Sequence, residues 1–569
     1  MRLVQLAVLL IGVLCNAALA GETPVYAPPP AWVKPMSPPA ESDKADDGAV
    51  RFLLSDLQIA FEPGRRTLYS HMVLKLQTPQ GLAAGNISYN WRPETDEFVV
   101  HKLLIRRGDE VIDVLASGQT FTVVRRETNL ESAMLDGVLT ANIQPEGLQV
   151  GDILEIAVSI SSSDPTLKDH VEQVAGSWNG IRIDRAHLRM QWPSSMPIRL
   201  QQSPHLPPMK PMKRGGLTTV ELALENVEPV LAPKNAPPRY HLGRMIEVTD
   251  FASWADLAAL MAPLYEKTAV IPKEGPLRDE LERIRALSTN PRARAEAALK
   301  LVQDRVRYVL LAMGEGNLVP ADAATTWARR FGDCKGKTAL LLALLHELGI
   351  EAEPVIVSTT LGDSINERLP MVGLFDHVIV RAVIDGRTYW LDGTRTGDAS
   401  LDRLVTPAFG WGLPLLPEGA ELVYIMPGPL ELPLEEMTIH FDARGGLTTP
   451  APARVETTMR GDQATAVNFM LTNMGADERD RALREYWRKE FRFIDIDAVG
   501  SAFDAKTGEL RLTLEGRARM DWDNDRYETD RTRVGYRADF HREPGPDRDA
   551  PFAVGHPFHH KATQTILLP

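Results

Sequence analysis

Residues 332–349 read GDCKGKTALLLALLHELG, and this stretch decides the fold around it. Its second half is apolar on nearly every side, which is typical of a helix buried on most of its faces. Asp333 is a good N-cap residue, and Gly349 suits the C′ position because glycine adopts positive φ without strain. The sequence therefore predicts a central, buried helix with Cys334 in its first turn.

Cys334 is one of only two cysteines, and the other is Cys15. Cys15 lies in residues 1–20, where a basic start, an apolar core and an Ala-Leu-Ala end indicate a cleavable secretion signal. The apolar core is shorter than the ~20 residues that a membrane span needs. Lipid attachment at Cys15 is disfavoured because Leu14 is not the small neighbour that such processing needs. After cleavage Cys334 has no partner for an intramolecular disulfide, so it is either inert or kept for its reactivity.

The charge balance points away from nucleic acid as a partner. Loss of the signal removes Arg2 and leaves 62 basic and 76 acidic residues, a net charge of −14. Nucleic-acid binding depends on clustered Lys and Arg, and the sequence has no such cluster. No later apolar run approaches membrane-spanning length, and about 550 residues predict roughly three domains.

The chain is predicted to be an α+β multidomain protein. A proline-rich and then acidic tether covers 21–48, because its composition cannot bury enough surface to order itself. Short alternating strands over 49–245 predict an antiparallel β-sandwich, a packing or recognition module without an acid–base cluster. Residues 250–400 combine helices and strands in an α/β core. Residues 401–569 form a mostly β domain with one charged helix over 476–492.

Helical spacing within the core predicts helices over 277–287 and 295–311, ahead of the cysteine helix. At the start of that helix, the backbone N–H groups and the helix dipole stabilise a thiolate on Cys334. Lys335 and Lys337 add positive charge. The same N–H groups can stabilise a developing oxyanion.

Two other interpretations compete for this stretch. Gly336-Lys337-Thr338 resembles the end of a phosphate-binding loop, but that loop requires a glycine where this chain has Phe331. A buried, inert cysteine is the second alternative, since cysteine packs as a small hydrophobe. Its charged neighbours favour reactivity instead.

A thiolate nucleophile needs a base and an orienting acid, and a hairpin supplies candidates for both. Asp385-Gly386 between two apolar runs is a strong two-residue turn signal. That turn places Asp392 opposite Ile379, so His377 and Asp392 become diagonal neighbours on one sheet face. A shift of one residue would separate them.

The other candidates fit less well. His346 lies twelve residues beyond Cys334, about 18 Å along the helix axis. Asp376 alternates to the sheet face opposite His377. A metal site is a weaker hypothesis for three histidines near the C-terminus, because no cysteine or spaced carboxylate accompanies them; these are His556, His559 and His560.

The motifs together resemble the bacterial transglutaminase-like superfamily. The resemblance rests on RY at 307–308, RFGDCK at 330–335, DHVIV at 376–380 and WLDGT at 390–394. Within it the chain looks like the exported branch with an N-terminal β domain of unknown function, on GDILEI at 151–156 and FASW at 251–254.

The resemblance implies a papain-related α/β core with a Cys–His–Asp triad. Carried over by motif, Cys334 is the nucleophile, His377 the base and Asp392 the orienting acid. No metal or organic cofactor is implied. Trp327 and Tyr308 are candidates for an oxyanion-stabilising side chain.

The leading hypothesis is a periplasmic thiol enzyme that acts on an amide of a protein or peptide in the cell envelope. Water would give hydrolysis, and an amine would give acyl transfer. A cell-wall peptide cysteine hydrolase is an alternative, since Asp-Cys-x-Gly at 333–336 is also a signature there, although a second histidine often replaces the acid. A non-catalytic envelope binding or scaffold protein is the alternative from another class.

Overall fold

The computed structural model describes residues 21–39, 48–125, 134–135, 137–241, 243–311, 318–398, 400–523, 526–528, 539–545 and 547–569. The predicted secretion signal at 1–20, with Cys15, lies outside these ranges. Within them the chain is a largely β, mixed α+β protein of several domains. None of the helices in these ranges is long and apolar enough to cross a membrane.

The first region consists almost entirely of strands. They are β1 (Val25–Tyr26), β2 (Val50–Glu62), β3 (Arg65–Leu76), β4 (Ile87–Trp91), β5 (Asp96–Arg107), β6 (Glu110–Asp113), β7 (Thr122–Arg125), β8 (Met134–Leu135), β9 (Leu139–Ile143), β10 (Ile153–Ser162), β11 (Glu172–Ala175), β12 (Ile183–Pro193), β13 (Arg199–Gln202), β14 (Met212–Arg214), β15 (Leu217–Val227) and β16 (Ile246–Thr249).

Nine of these strands form one large sheet in the order β1-β5-β10-β3-β2-β12-β15-β14, with β6 beside β5. Two three-stranded sheets, β4-β9-β7 and β11-β16-β13, pack their apolar side chains against it. The pairing is not wholly antiparallel as expected, because β1 runs parallel to β5 and β2 runs parallel to β12. Since β16 belongs to this region, the region extends to residue 249 and not to 245.

The proline-rich segment is not a free tether over its described part, residues 21–39. The amide N–H of Lys34 donates to Oε1 of Gln58 at 3.0 Å, and Nε2 of Gln58 donates to the Lys34 carbonyl at 2.6 Å. Gln58 points away from the buried Ile59 beside it, so the segment lies on the face opposite the two small sheets. Composition alone missed this because the segment gains its order from hydrogen bonds to a polar sheet face.

The second region contains the helices. It comprises α1 (Trp254–Thr268), α2 (Pro276–Leu287), α3 (Pro291–Arg305), β17 (Arg307–Tyr308), β18 (Leu310–Leu311), α4 (Ala323–Arg329), β19 (Phe331–Gly332), α5 (Cys334–Glu347), β20 (Glu351–Val357), β21 (His377–Ile384), β22 (Arg387–Leu391), β23 (Gly410–Pro414) and β24 (Val423–Ile425).

The cysteine helix α5 packs against a five-stranded sheet of order β22-β21-β20-β23-β24. Its apolar positions from 339 to 345 are at most 1% exposed, as a helix that is apolar on all sides requires. Helix α3 ends at Arg305 and not at 311, because Val306 is extended and β17 pairs with β19. The domain boundary predicted at 400 is also too early, since β23 and β24 complete the same sheet.

The third region is a five-stranded sheet with two helices. It contains β25 (Glu435–Asp442), β26 (Ala451–Met459), α6 (Gly461–Thr472), α7 (Ala476–Glu490), β27 (Ile494–Asp504), β28 (Glu509–Ala518), β29 (Trp522–Asp523), β30 (Arg526–Tyr527) and β31 (His560–Leu567). Helix α7 is the expected charged helix. Helix α6 was not predicted, and only Ala464 and Leu471 of its side chains are buried.

Candidate active site

Cys334 is the first residue of α5 and is 5% exposed. Asp333 is the N-cap, and its Oδ1 accepts a hydrogen bond from the Gly336 amide at 2.9 Å. The Lys335 ammonium forms an ion pair with the other carboxylate oxygen of Asp333. The capping predicted from sequence is therefore present, and it directs the start of α5 towards a cavity that the thiol lines.

Lys337 does not add an exposed positive charge beside the thiol. Its side chain is 1% exposed, and its ammonium donates to the carbonyl of Val306 at the end of α3. Burial lowers the pKa of Lys337 to about 8. The residue ties α5 to the segment that leads into β17, a structural role that sequence reasoning did not anticipate.

The hairpin of β21 and β22 brings His377 and Asp392 together. Val380 pairs with Leu391 and Ile384 with Arg387, which is the register predicted from the Asp-Gly turn. Nε2 of His377 lies 2.8 Å from Oδ2 of Asp392. The second carboxylate oxygen of Asp392 accepts from the amide and hydroxyl of Thr394, at 2.8 and 2.6 Å.

His377 lines the same cavity as Cys334, at the end of the imidazole–carboxylate pair. Because Asp392 occupies Nε2, the nitrogen left for the thiol is Nδ1. Burial alone would lower the pKa of His377, but hydrogen bonds to Asp392 and Cys334 and the charges of both groups outweigh it and raise the pKa to about 10. Burial raises the pKa of Asp392, and the hydrogen bonds from His377 and Thr394 more than offset this and hold it below its usual range. The arrangement favours an imidazolium next to the sulfur.

Two further hydrogen bonds hold the backbone beside the candidate triad. Nε2 of Gln303, on α3, donates to the Asp392 carbonyl at 2.9 Å. The hydroxyl of Thr338, on α5, donates to the Val378 carbonyl at 3.2 Å. Sequence reasoning missed Gln303 and Thr394; only Asp-Gly-Thr at 392–394, a short side-chain-to-backbone turn pattern, gave a signal for the latter.

The two candidate oxyanion side chains are placed differently. Tyr308 pairs with Gly332 in the short β17–β19 ladder, and burial together with the charge of Cys334 raises the pKa of its phenol. Nε1 of Trp327 is buried without a hydrogen-bond partner, and the Arg330 guanidinium stacks 3.5 Å from its ring centroid. Among the described residues that line the cavity, neither Tyr308 nor Trp327 is included.

The cavity at Cys334 has a volume of about 630 Å³ and is walled by two regions of the molecule. The second region contributes its floor, which includes Cys334, Lys335, Asp376 and His377. The first region contributes charged side chains that sequence reasoning did not connect with the site; they are Arg66, Arg92, Asp96, Asp164, His170 and Glu172. The β domain is thus part of the site and not only a separate packing module.

Glu172 joins the two regions at the loop that precedes His377. Its carboxylate accepts from two consecutive amides, those of Val372 and Gly373, both at 2.7 Å. These amides belong to a 3-10 turn, Val372–Leu374, shortly before β21. Burial raises the pKa of Glu172, although the two amide hydrogen bonds oppose this. The strand of the first region therefore holds the loop that leads to the imidazole.

The remaining candidates have partners other than the thiol. Nε2 of His346 contacts the Ala352 carbonyl at 2.8 Å, and Asp376 accepts from the amide and hydroxyl of Thr359. Two of the C-terminal histidines contact backbone carbonyls, and the third lies 4.0 Å from Glu435; these are His556, His559 and His560. In the described part of the chain no group of three His, Cys, Asp or Glu side chains is arranged to hold a metal.

Comparison with known proteins adds the following. Residues 62–231 match the model of a domain of unknown function, DUF3857. The search of curated proteins found no match. A solved structure from Parabacteroides distasonis, a candidate protease, is 12% identical and covers 83% of this chain and 93% of that chain, with a TM-score of 0.54.

That likeness spans most of both chains, and at this identity it shows a shared multidomain fold. An M1 zinc metallopeptidase from Deinococcus radiodurans is 11% identical over 36% of this chain and 42% of that chain. Its TM-score is 0.20, which is too low to carry an argument.

Proposed function

We propose that this chain is an exported, transglutaminase-like thiol enzyme that acts on an amide bond through Cys334, His377 and Asp392. One observation carries the proposal: the Cys334 thiol and the His377 imidazole line one cavity of about 630 Å³, and the imidazole lies 2.8 Å from the Asp392 carboxylate. The predicted signal at 1–20 supports a periplasmic location. The Parabacteroides distasonis neighbour, a candidate protease, supports a peptide or protein as the substrate.

The chemistry follows from the protonation state of the dyad. With the proton on His377, the sulfur of Cys334 attacks the carbonyl carbon of the substrate, and a C–S bond forms. The imidazolium then gives its proton to the leaving nitrogen as the C–N bond breaks, which leaves an acyl-enzyme. His377 next accepts a proton from water, for hydrolysis, or from an amine, for acyl transfer, as the oxygen or nitrogen bonds to the acyl carbon; the C–S bond then breaks and the thiolate beside the imidazolium is restored. Asp392 holds the ring in place and stabilises its charge.

The third group of the triad bears on the cell-wall hydrolase alternative. Such enzymes often use a second histidine at this position, whereas here a carboxylate, Asp392, lies 2.8 Å from the imidazole. This favours the transglutaminase-like interpretation. Backbone N–H groups at the start of α5 are the oxyanion donors in this proposal, since the first turn of a helix leaves N–H groups without intrahelical acceptors and Cys334 lies in that turn.

Alkylation of the purified mature protein with iodoacetamide near pH 6.5 tests the proposal. We expect rapid labelling that is lost in Cys334→Ala and slowed in His377→Ala. His346→Ala is the matched control, because His346 lies twelve residues further along the same helix and its imidazole contacts the Ala352 carbonyl. Slow labelling that does not depend on His377 would instead favour the non-catalytic scaffold.

A further inference from the structure

Two arginines of the first region line the cavity that contains the candidate nucleophile. Arg66 lies near the start of β3, and Arg92 directly follows β4. These strands belong to different sheets, so the two guanidinium groups reach one wall from separate parts of the fold. They line the same cavity as Cys334 and His377.

In the part of the chain that the structure describes, neither guanidinium forms an ion pair with a carboxylate. Burial lowers the pKa of Arg66, and the charges of Glu172 and Asp96 oppose this without closing an ion pair. Nη1 of Arg66 donates to the backbone carbonyl of Glu172 at 2.6 Å, which uses one of its five N–H bonds. Nε of Arg92 is buried and has no hydrogen-bond partner among the described residues. A buried donor without an acceptor is costly, so a ligand that supplies acceptor atoms at this position relieves that cost.

The carboxylates of the same wall already hold donors from their own surroundings. Oδ2 of Asp96 accepts from the Arg92 amide at 2.9 Å, and Oδ1 of Asp164 accepts from the Thr166 amide at 2.9 Å. Glu172 and Asp376 accept two hydrogen bonds each. The unused hydrogen-bonding capacity of the two guanidinium groups is for donating, and the planar fork of arginine matches the two oxygens of a carboxylate.

We propose that Arg66 and Arg92 form a carboxylate-binding subsite, so that the preferred substrate is a peptide with a carboxylate near the amide that Cys334 attacks. The carboxylate belongs either to an acidic side chain or to a free C-terminus. This inference rests on the proposed function and adds a substrate class to it. Arg66 and Arg92 are specificity residues here, and the bond-breaking chemistry remains with the thiol and the imidazole.

Alkylating reagents that differ only in charge test the subsite without a known substrate. Iodoacetyl-glycine and iodoacetyl-diglycine place a carboxylate at two distances from the reactive carbon, and their C-terminal amides are neutral counterparts. A third pair places the carboxylate on a side chain: iodoacetyl-aspartate α-amide is the acid, and iodoacetyl-aspartate diamide is its neutral counterpart. The measured quantity is the acid-to-amide ratio of the Cys334 alkylation rates, divided by the same ratio for N-acetylcysteine.

We expect this normalised ratio to exceed one for at least one reagent pair, and to fall about three- to tenfold in Arg92→Gln and Arg66→Gln. Arg92→Lys keeps the charge and should retain part of the preference. The rate with neutral iodoacetamide is measured for each variant, and a general change in the reactivity of Cys334 cancels in the acid-to-amide ratio. The reagent pair with the largest normalised ratio shows whether the subsite prefers a terminal or a side-chain carboxylate.

Arg65→Gln is the matched control, because Arg65 precedes Arg66 on β3, is paired with Glu97 and lies outside the residues that line this cavity. A normalised ratio of one or below for every pair, or a ratio unaffected by both arginine variants, overturns the subsite. Rapid, His377-dependent labelling in that case leaves the proposed function standing. Slow labelling by all reagents, independent of His377, is the separate failure of the proposed function.

Discussion

The second region and the first region contribute to one cavity in opposite ways. In the second region, the candidate catalytic residues lie in short sequence patterns: one helix start holds Cys334, and one hairpin holds His377 and Asp392. In the first region, Arg66 and Glu172 come from strands far apart in the sequence and meet only through the sheet topology. The comparison suggests that local motifs supply the chemistry, while long-range packing supplies the surface that a substrate would meet.

The strongest test of that division is removal of the nucleophile. If the second region supplies the chemistry, Cys334→Ala should reduce amide cleavage or transfer at least about 1000-fold, because binding to the first region cannot replace a covalent step. Turnover of a fluorogenic peptide library with acidic and neutral members measures this. Circular dichroism and the thermal midpoint verify that the variant is folded.

Turnover that survives in Cys334→Ala would show that the chemistry lies elsewhere. Cys334→Ser is the companion variant, since it keeps the size and polarity of the side chain. Its hydroxyl is a much weaker nucleophile beside the same imidazole, so we expect nearly the same loss.

The second test removes the orienting carboxylate. Asp392→Asn removes the charge that raises the pKa of His377 and leaves at best a weaker, neutral hydrogen bond, so the imidazolium becomes less stable and labelling of Cys334 at pH 6.5 should slow about 10- to 100-fold. Stopped-flow or mass-spectrometric alkylation rates over pH 5 to 9 measure the change. Asp385→Asn, at the turn of the same hairpin, is the control and should leave the rate unchanged. Equal rates in Asp392→Asn and the native protein would remove Asp392 from the triad.

Features set by neighbouring residues were predictable from the sequence, and features set by distant partners were not. The register of β21 and β22 was predictable because an Asp-Gly turn fixes its neighbours, and the N-cap of α5 was predictable because Asp333 acts within three residues. The order of residues 21–39 and the end of α3 at Arg305 were not, since both depend on partners far along the chain. For the same reason, no local sequence pattern predicted that Glu172 would bind the loop before His377.

The third test asks whether the first region also affects the chemistry. Glu172→Gln replaces one acceptor oxygen with an NH₂ group, so only one of the amides of Val372 and Gly373 keeps its hydrogen bond. We expect a loss of about 1–3 kcal/mol of stability in this contact and labelling of Cys334 slowed about three- to tenfold, because the loop before His377 loosens.

A shift in the pH profile of labelling separates this positioning effect from a general loss of folded protein. Glu225→Gln serves as its control, since Glu225 forms an ion pair with Arg185 on the surface of the same region. An unchanged profile in Glu172→Gln would confine the first region to substrate contacts and sharpen the division between the two regions.

The smallest expected effect concerns stability against pH within the second region. The pKa of His377 is raised from 6.5 to about 10, so the folded protein binds its proton more tightly than the unfolded chain does. The stabilisation is therefore complete below pH 6.5 and is lost as the pH rises through about 10. The free energy of unfolding should change with pH by a fraction of the ~1.4 kcal/mol per pH unit that the release of one whole proton gives.

Urea unfolding of the native protein and His377→Ala at pH 6, 8 and 10 measures the difference between their free energies of unfolding. Lys337 has the opposite tendency, because its pKa is lowered to about 8 and its contribution to stability grows as the pH rises towards 10.5. Both proteins contain Lys337, so its contribution cancels in the difference. We expect the native protein to have the larger free energy of unfolding at pH 6, and this difference to disappear by pH 10. An advantage that stays constant would mean that the imidazole does not hold its proton against Asp392 and Cys334, and the second region would then lack the charged dyad on which its chemistry depends.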